Sequence, residues 1–366
     1  MTVFYLCPAV ERPIGGVKQI YRHVEVLARA GLDARVLLPR GGFRPDWFSQ
    51  SAPAAWWRMR HRTRVLLEAH DRLPGAHRIV PSINPLLPEG LEAQILLAEG
   101  GQTSLTAEDV LVIPEYLGGS LARRSKRARV VLFNQNAYNT FRGHETLPDS
   151  ANNTYMDGVD AALVVSEHNQ RYLGHAFPFL RVILTRNGVD EELFCPRPKE
   201  RRIAYMPRKL PHDLREVLHI LDARGRLRGW ELSPIENASE AEVAELLGRA
   251  AIFLSTSTRE GFGLPALEAG LCGCVVIGYT GCAGAEFMSP AHCYPVPQED
   301  VLAFAQTVEE VLTRFETSES AELERGARFA ASLRGRYSRE AEATGIVAAW
   351  RELLEPDGGG LADVVR

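Results

Sequence analysis

The chain has 366 residues, 45% of them hydrophobic and 24% charged, with a formal net charge of -4. That length and apolar content support two buried cores and exclude a disordered chain. The slightly acidic balance gives none of the global basic character expected of a nucleic-acid binder, so no nucleic-acid partner is expected.

The first residues, Met1 to Pro8, carry no charged lead-in and no long apolar stretch, and they read as a strand and not a signal peptide. The longest apolar runs are too short to span a bilayer. A cytoplasmic protein is therefore expected. The six cysteines, Cys7, Cys195, Cys272, Cys274, Cys282 and Cys293, fit that compartment as reduced, packed thiols. Cys272 and Cys274 flank a single glycine, which is not the spacing of a zinc knuckle.

Short β-branched runs recur at 3–7, 34–38, 110–113, 130–133, 161–165, 181–184, 203–206, 251–254 and 274–277. Continuous apolar runs of this length suit strands buried on both faces. Helix-periodic segments at 17–30, 241–250 and 302–315 lie between several of them. This alternation predicts an α/β architecture with parallel sheets. Residues 43–98 break the pattern. They hold Trp47, Trp56 and Trp57 and the basic run Arg58, Arg60, Arg62 and Arg64, and are expected to be an insertion. A polar, proline-containing joint near 190–200 separates two sheets. Residues 338–354 pattern as one amphipathic helix, and 357–366 as a frayed tail.

The chemistry concentrates in Arg259-Glu260-Gly261-Phe262-Gly263-Leu264-Pro265-Ala266-Leu267-Glu268-Ala269-Gly270, after the strand at 251–254 and a polar loop at 255–258. Pro265 suits a helix's first turn. Gly261 and Gly263 permit close approach of the backbone to a ligand. The N–H groups at such a helix start favour phosphate. Glu260 and Glu268 flank this loop. One can meet a sugar hydroxyl and the other both ribose hydroxyls of a nucleotide. A tight structural turn with two solvated glutamates is the plainer alternative, and the Gly-Phe-Gly-Leu-Pro insert weighs against it.

Residues 240–278 resemble the C-terminal signature of the family-4 retaining glycosyltransferases (group 1 glycosyltransferases), which have the GT-B fold. Arg186-Asn187-Gly188-Val189-Asp190, with Phe194 and Pro196, resembles that family's interdomain segment. Ile14-Gly15-Gly16-Val17 resembles its N-terminal glycine loop. The resemblance implies two Rossmann-like domains facing each other across a cleft: an acceptor-side domain at 1–185 carrying the insertion 43–98, and a nucleotide-sugar-binding domain at 186–337. The helix and tail at 338–366 would pack back on the first domain. It further implies a retaining hexosyl transfer from a nucleotide-sugar to a glycan or lipid-linked glycan acceptor, in surface polysaccharide or glycoconjugate biosynthesis. No metal and no further cofactor are expected.

By the same resemblance, Glu260 meets the donor sugar, Glu268 the ribose, and Phe262, Gly263 and Leu264 present N–H groups to the donor. Arg208 and Lys209, with Arg215 third, are the candidates for the diphosphate in the loop 206–215. There the spacing departs from the family pattern. Gly15 and Gly16 fit a tight turn close to donor phosphate or acceptor, and are taken as donor-binding. The family's histidine after a first-domain strand is missing: 130–133 runs into Asn134-Gln135-Asn136, and Asn136 is the nearest equivalent. Asparagine hydrogen-bonds a hydroxyl but cannot act as a base near neutral pH. Glu115, also at a strand end, is a second candidate on the acceptor side, with a solvated loop acid as the alternative.

Two other readings stand beside this one: a non-catalytic GT-B partner subunit, and a GT-B sugar-nucleotide epimerase or hydrolase. The latter would need acid/base groups that 134–136 does not offer. The basic run at 58–64 beside Trp56 and Trp57 would let the chain rest on an anionic membrane as a peripheral contact. The alternative is buried tryptophans with arginines solvating the outer face. The run Arg123, Arg124, Lys126, Arg127 and Arg129 reads as a solvated helix end.

Overall fold

The computed structural model describes residues 1–11, 14–39, 41–57, 94–117, 122, 128–142, 144, 146–148 and 155–355. The arginines at 58–64 and most of the basic run at 123–127 lie outside the described residues. The chain divides into two compact units. Unit 1 comprises 1–164, 170–185 and 345–366, and unit 2 comprises 165–169 and 186–344.

Unit 1 is built on a nine-stranded sheet among the described residues, ordered β5-β4-β3-β2-β1-β6-β7-β8-β9. The strands are β1 (Val3–Leu6), β2 (Ala34–Leu38), β3 (Ala54–Trp57), β4 (Ile95–Leu97), β5 (Gln102–Thr103), β6 (Val110–Pro114), β7 (Arg129–Asn134), β8 (Ala161–Val164) and β9 (Arg181–Leu184). From β3 to β9 every pairing is parallel, while β4 and β5 add an antiparallel edge. All residues of β1, β6 and β8 are buried, as befits parallel strands covered on both faces. Helix α1 (Gly15–Arg29) crosses from β1 to β2 and buries Val17, Ile20, Tyr21, Val24 and Leu27 at helical spacing.

The stretch expected as an insertion partly belongs to this sheet. Ala54–Trp57 pairs with β2, and Ile95–Leu97 pairs with β3. Four residues with two tryptophans give too short a period-2 signal to stand out in sequence. Trp57 is buried in the unit's core, as the plainer reading of that tryptophan expected.

Unit 2 is built on a five-stranded parallel sheet, ordered β11-β10-β12-β13-β14. Its strands are β10 (Glu200–Tyr205), β11 (Glu231–Pro234), β12 (Ala250–Glu260), β13 (Val275–Cys282) and β14 (Tyr294–Pro295). Helix α2 (Glu167–Ala176) follows β8 and contributes its first three residues to this unit. Helices α3 (Pro211–Ala223), α4 (Glu240–Arg249), α5 (Leu264–Leu271) and α6 (Val301–Leu333) belong to it entirely. The start of α4 is fixed by a capping box between Ser239 and Glu242. Ile203, Leu254, Ile277, Val308 and Phe315 sit in the core of this unit.

Close backbone packing is enforced at Gly270 of α5. A Cβ there would lie 2.4 Å from Phe329 Cε1 of α6. The last helix, α7 (Arg339–Leu354), begins in unit 2, and its residues from 345 on group with unit 1. Its Trp350 Nε1 donates a 3.0 Å hydrogen bond to Tyr5 Oη. No helix of the described residues is long and apolar enough to cross a membrane.

Candidate functional site

In unit 2 the candidate residues gather at the carboxyl ends of β10, β12 and β13. The stretch 255–258, expected as a polar loop, is a continuation of β12, which runs to Glu260. Two of its hydroxyls stay buried because they find partners: Ser255 Oγ donates to Tyr279 O at 2.7 Å, and Thr256 Oγ1 to Lys209 O at 2.6 Å. The register of β12 against β13 shifts between Ser257 and Glu260, and Arg259 adopts a left-handed φ of 50°. The bulge re-aims the strand end and sets Glu260 opposite Cys282. Gly281 makes room for this: a Cβ there would sit 2.9 Å from Glu260 Cβ and Cγ.

The loop after β10 brings Lys209 to the same place. Its backbone is held by Thr256, and its ammonium is ion-paired with Glu260. Leu210 takes a left-handed φ of 42°, and Pro211 then opens α3. Arg208 beside Lys209 is exposed, with no ion-pair partner among the described residues. Arg215, one turn into α3, is exposed and donates through Nη2 to His212 Nδ1 at 2.6 Å. Tyr279 Oη donates to Asp213 at 2.9 Å and ties α3 to β13.

Gly261, Phe262 and Gly263 are buried, and Gly263, at φ 96°, caps α5. The N–H groups of Ala266 and Leu267 are taken up by Gly263 O, at 3.1 and 3.3 Å. Pro265 has no N–H, so Gly263 and Leu264 supply the donors at the helix start. Glu268 is half-buried, one turn further along α5. Together, an anion-favouring helix start, a lysine and two carboxylates occupy one end of one sheet, where α/β sheets bind ligands.

Unit 1 gathers a second group at the carboxyl ends of β6 and β7. Gly15 and Gly16 are the first two residues of α1, where a tight turn was expected. Helix propagation from Val17 onward absorbs both glycines. Gln135 Nε2 donates to Gly16 O at 3.0 Å, and a Cβ on Gly16 would meet the Gln135 amide at 3.3 Å. Asn136 Oδ1 accepts from Tyr138 N at 3.0 Å and caps a single 3-10 turn.

Glu115 is buried, contrary to a solvated loop acid. Burial pushes its carboxyl above the usual range, against hydrogen bonds from Asn139 Nδ2 at 3.3 Å and Gln135 N at 3.4 Å. Sequence reasoning missed Gln135 and Asn139, although both lie within five residues of a strand's carboxyl end. It also missed a pocket of about 430 Å³ lined by Glu11, Phe43, Arg44 and Asp46, in the loops after β1 and β2.

Known proteins resemble this chain in sequence and fold. Residues 234–325, which contain the Glu260 loop and Glu268, match the family model "Glycosyl transferases group 1". An alpha-1,6-glucosyltransferase of Actinobacillus pleuropneumoniae is 26% identical over 187 residues, 49% of this chain and 55% of that protein. The chain thus spans about half the length of that curated relative. Among solved structures, the sucrose-phosphate synthase of Thermosynechococcus elongatus superposes with a TM-score of 0.63 at 14% identity, covering 96% of this chain and 99% of that one. A mutant of S. aureus TarM, in complex with Fondaparinux, alpha-GlcNAc-glycerol and UDP, superposes with a TM-score of 0.63 at 10% identity, covering 97% and 100%. Residues 234–325 are thus similar to the group 1 glycosyl transferases, and the fold of the chain is GT-B.

Proposed function

We propose that this chain is a retaining glycosyltransferase that moves a hexosyl group from a nucleotide-sugar to a glycan or lipid-linked glycan acceptor, in surface polysaccharide or glycoconjugate assembly. The observation that carries the reading is the convergence of Lys209, Glu260 and the Gly263–Leu264 helix start at one strand end. In it, the N–H groups of Gly263 and Leu264, with Lys209 and Arg208, take the donor diphosphate, where negative charge grows as the glycosidic bond breaks. Glu268 accepts the ribose hydroxyls, and Glu260 accepts a hydroxyl of the sugar.

Retention by front-face attack needs no protein nucleophile. The acceptor oxygen bonds to the anomeric carbon on the face that the phosphate leaves, and its proton passes to the departing phosphate oxygen. Asn136 and Glu115 of unit 1, with Gln135, are assigned to the acceptor side as hydrogen-bonding groups. UDP-sugars are the first donors to try, because the TarM complex contains UDP.

The test is a panel of nucleotide-sugars incubated with the protein and candidate glycan acceptors, with nucleoside diphosphate release as the readout and NMR of the product anomer. Consumption of one donor with the anomeric configuration kept is the expected result. An inverted product would refute retention. A folded protein that consumes no donor, alone or with acceptor, would refute transfer.

A further inference from the structure

The loop between Glu260 and Pro265 has one aromatic side chain, Phe262, set between two glycines that have no side chain to fix them. Phe262 is buried and meets two other buried rings. Its centroid lies 5.8 Å from Tyr337, edge-on at 65°, and 6.0 Å from Phe287. Phe287 and Tyr337 are 5.8 Å apart, edge-on at 72°. The three rings close a triangle at the separations and angles favoured by aromatic quadrupoles.

Tyr337 is itself held firmly. Its carbonyl accepts from Val189 N at 2.8 Å, and Val189 forms an isolated parallel bridge with Ser338. Gly188 N donates to Glu342 at 2.8 Å, and a Cβ on Gly188 would lie 2.4 Å from Ser338 O. The Arg336 guanidinium lies 5.0 Å over the Tyr337 ring. The Tyr337 hydroxyl, by contrast, is buried with no hydrogen-bond partner among the described residues. The ring is therefore the part of Tyr337 that touches the loop.

We propose that Tyr337 is a positioning residue for this loop: its ring, acting through Phe262, holds 261–263 in the conformation that offers N–H groups to a diphosphate. The proposal rests on the reading of the loop as the donor site. It predicts a division of labour within one side chain, in which the ring matters for binding and the hydroxyl does not.

Titration of UDP, ADP and GDP into the parent chain identifies the nucleotide bound, and the same titration is then run on the variants well below their thermal midpoints. Loss of two edge contacts in Tyr337→Ala should weaken binding roughly tenfold. Tyr337→Phe should bind like the parent. Tyr337→Leu keeps apolar bulk without the ring and serves if the alanine variant does not fold; it too should bind more weakly. Phe315→Ala, in the core of the same unit but away from the loop, should lower the thermal midpoint and leave affinity unchanged.

Parent-like binding by Tyr337→Ala or Tyr337→Leu overturns the proposal. So does equal weakening in Phe315→Ala, which would mean a general loss of stability, or in Tyr337→Phe, which would give the role to the hydroxyl. A folded parent that binds no nucleoside diphosphate overturns the donor reading itself, and the proposal with it. Binding by the parent and by the alanine variant alike overturns the positioning role alone.

Discussion

Lys209 and Glu260 are ion-paired at the carboxyl ends of β10 and β12, the lysine contributed by a loop and the glutamate by a bulged strand end. Each side chain is partly exposed, at 29% and 17%, so the contact is worth only about 0–1 kcal/mol to stability. Its importance on the proposed reading lies in exchange of partners. An arriving diphosphate competes for Lys209 and leaves Glu260 to a sugar hydroxyl.

Replacement of either partner should therefore appear in turnover more than in stability. Glu260→Ala should lower kcat by about 10²–10³-fold if its contact strengthens as the sugar becomes cationic. Lys209→Ala should raise donor KM and lower kcat. Thermal midpoints should move little. Steady-state kinetics with the identified donor checks this, and parent-like rates in both variants would remove these residues from the site.

Activity should persist in chelator. Lys209, Arg208 and the α5 start offer positive charge and N–H groups to the diphosphate without a metal. Transfer assayed in EDTA, with and without added magnesium or manganese, decides the point. Loss in EDTA that either metal restores would contradict it.

Helix glycines divide into two kinds. At Gly270 a Cβ would lie 2.4 Å from Phe329 Cε1 and 2.7 Å from Leu333 Cδ1, so Gly270→Ala should destabilise by about 1–3 kcal/mol through overpacking. A Cβ on Gly174 of α2 or Gly345 of α7 would meet nothing within 4 Å. Alanine at either should stabilise by roughly 0.5–1 kcal/mol. Urea unfolding measures all three, and a Gly270→Ala variant as stable as the parent would contradict the packing described.

Acid sensitivity should carry a contribution from His23. Burial depresses its imidazole from 6.5 to about 3, and its Nδ1 lies 3.0 Å from Tyr5 Oη. Tyr5 Oη also accepts from Trp350 Nε1 at 3.0 Å. The folded state thus holds neutral histidine where the unfolded chain binds a proton. Between pH 6.5 and about 3 the unfolded state binds more protons, so stability falls as pH falls. The slope from this one group reaches up to about 1.4 kcal/mol per pH unit. His23→Gln should flatten the stability profile in that window. An unchanged slope in urea unfolding at several pH values would show that His23 is not buried neutral.

Much of the scaffold was legible because parallel strands buried on both faces write continuous apolar runs. Each run read from sequence overlaps a strand of one of the two sheets. The short strands Ala54–Trp57, Gln102–Thr103 and Tyr294–Pro295 were not legible, since two to four residues carry no period. The Glu260 loop was legible because glycine, proline and carboxylate stand at fixed offsets. Its supports were not. Thr256 holds Lys209 across a separation of 47 positions. Gly281 yields space to Glu260, and Tyr337 packs on Phe262, from elements equally foreign to the loop. No local pattern announces such contacts.

Calorimetric titration of nucleoside diphosphates into the parent chain and into Glu268→Ala tests the donor site most directly. The parent should bind one of them. Glu268→Ala should weaken that binding at least about tenfold, the size of a lost charge-assisted hydrogen-bond pair. A parent that binds none, or a Glu268→Ala variant that binds as tightly as the parent, would contradict the assignment of this loop to a nucleotide-sugar.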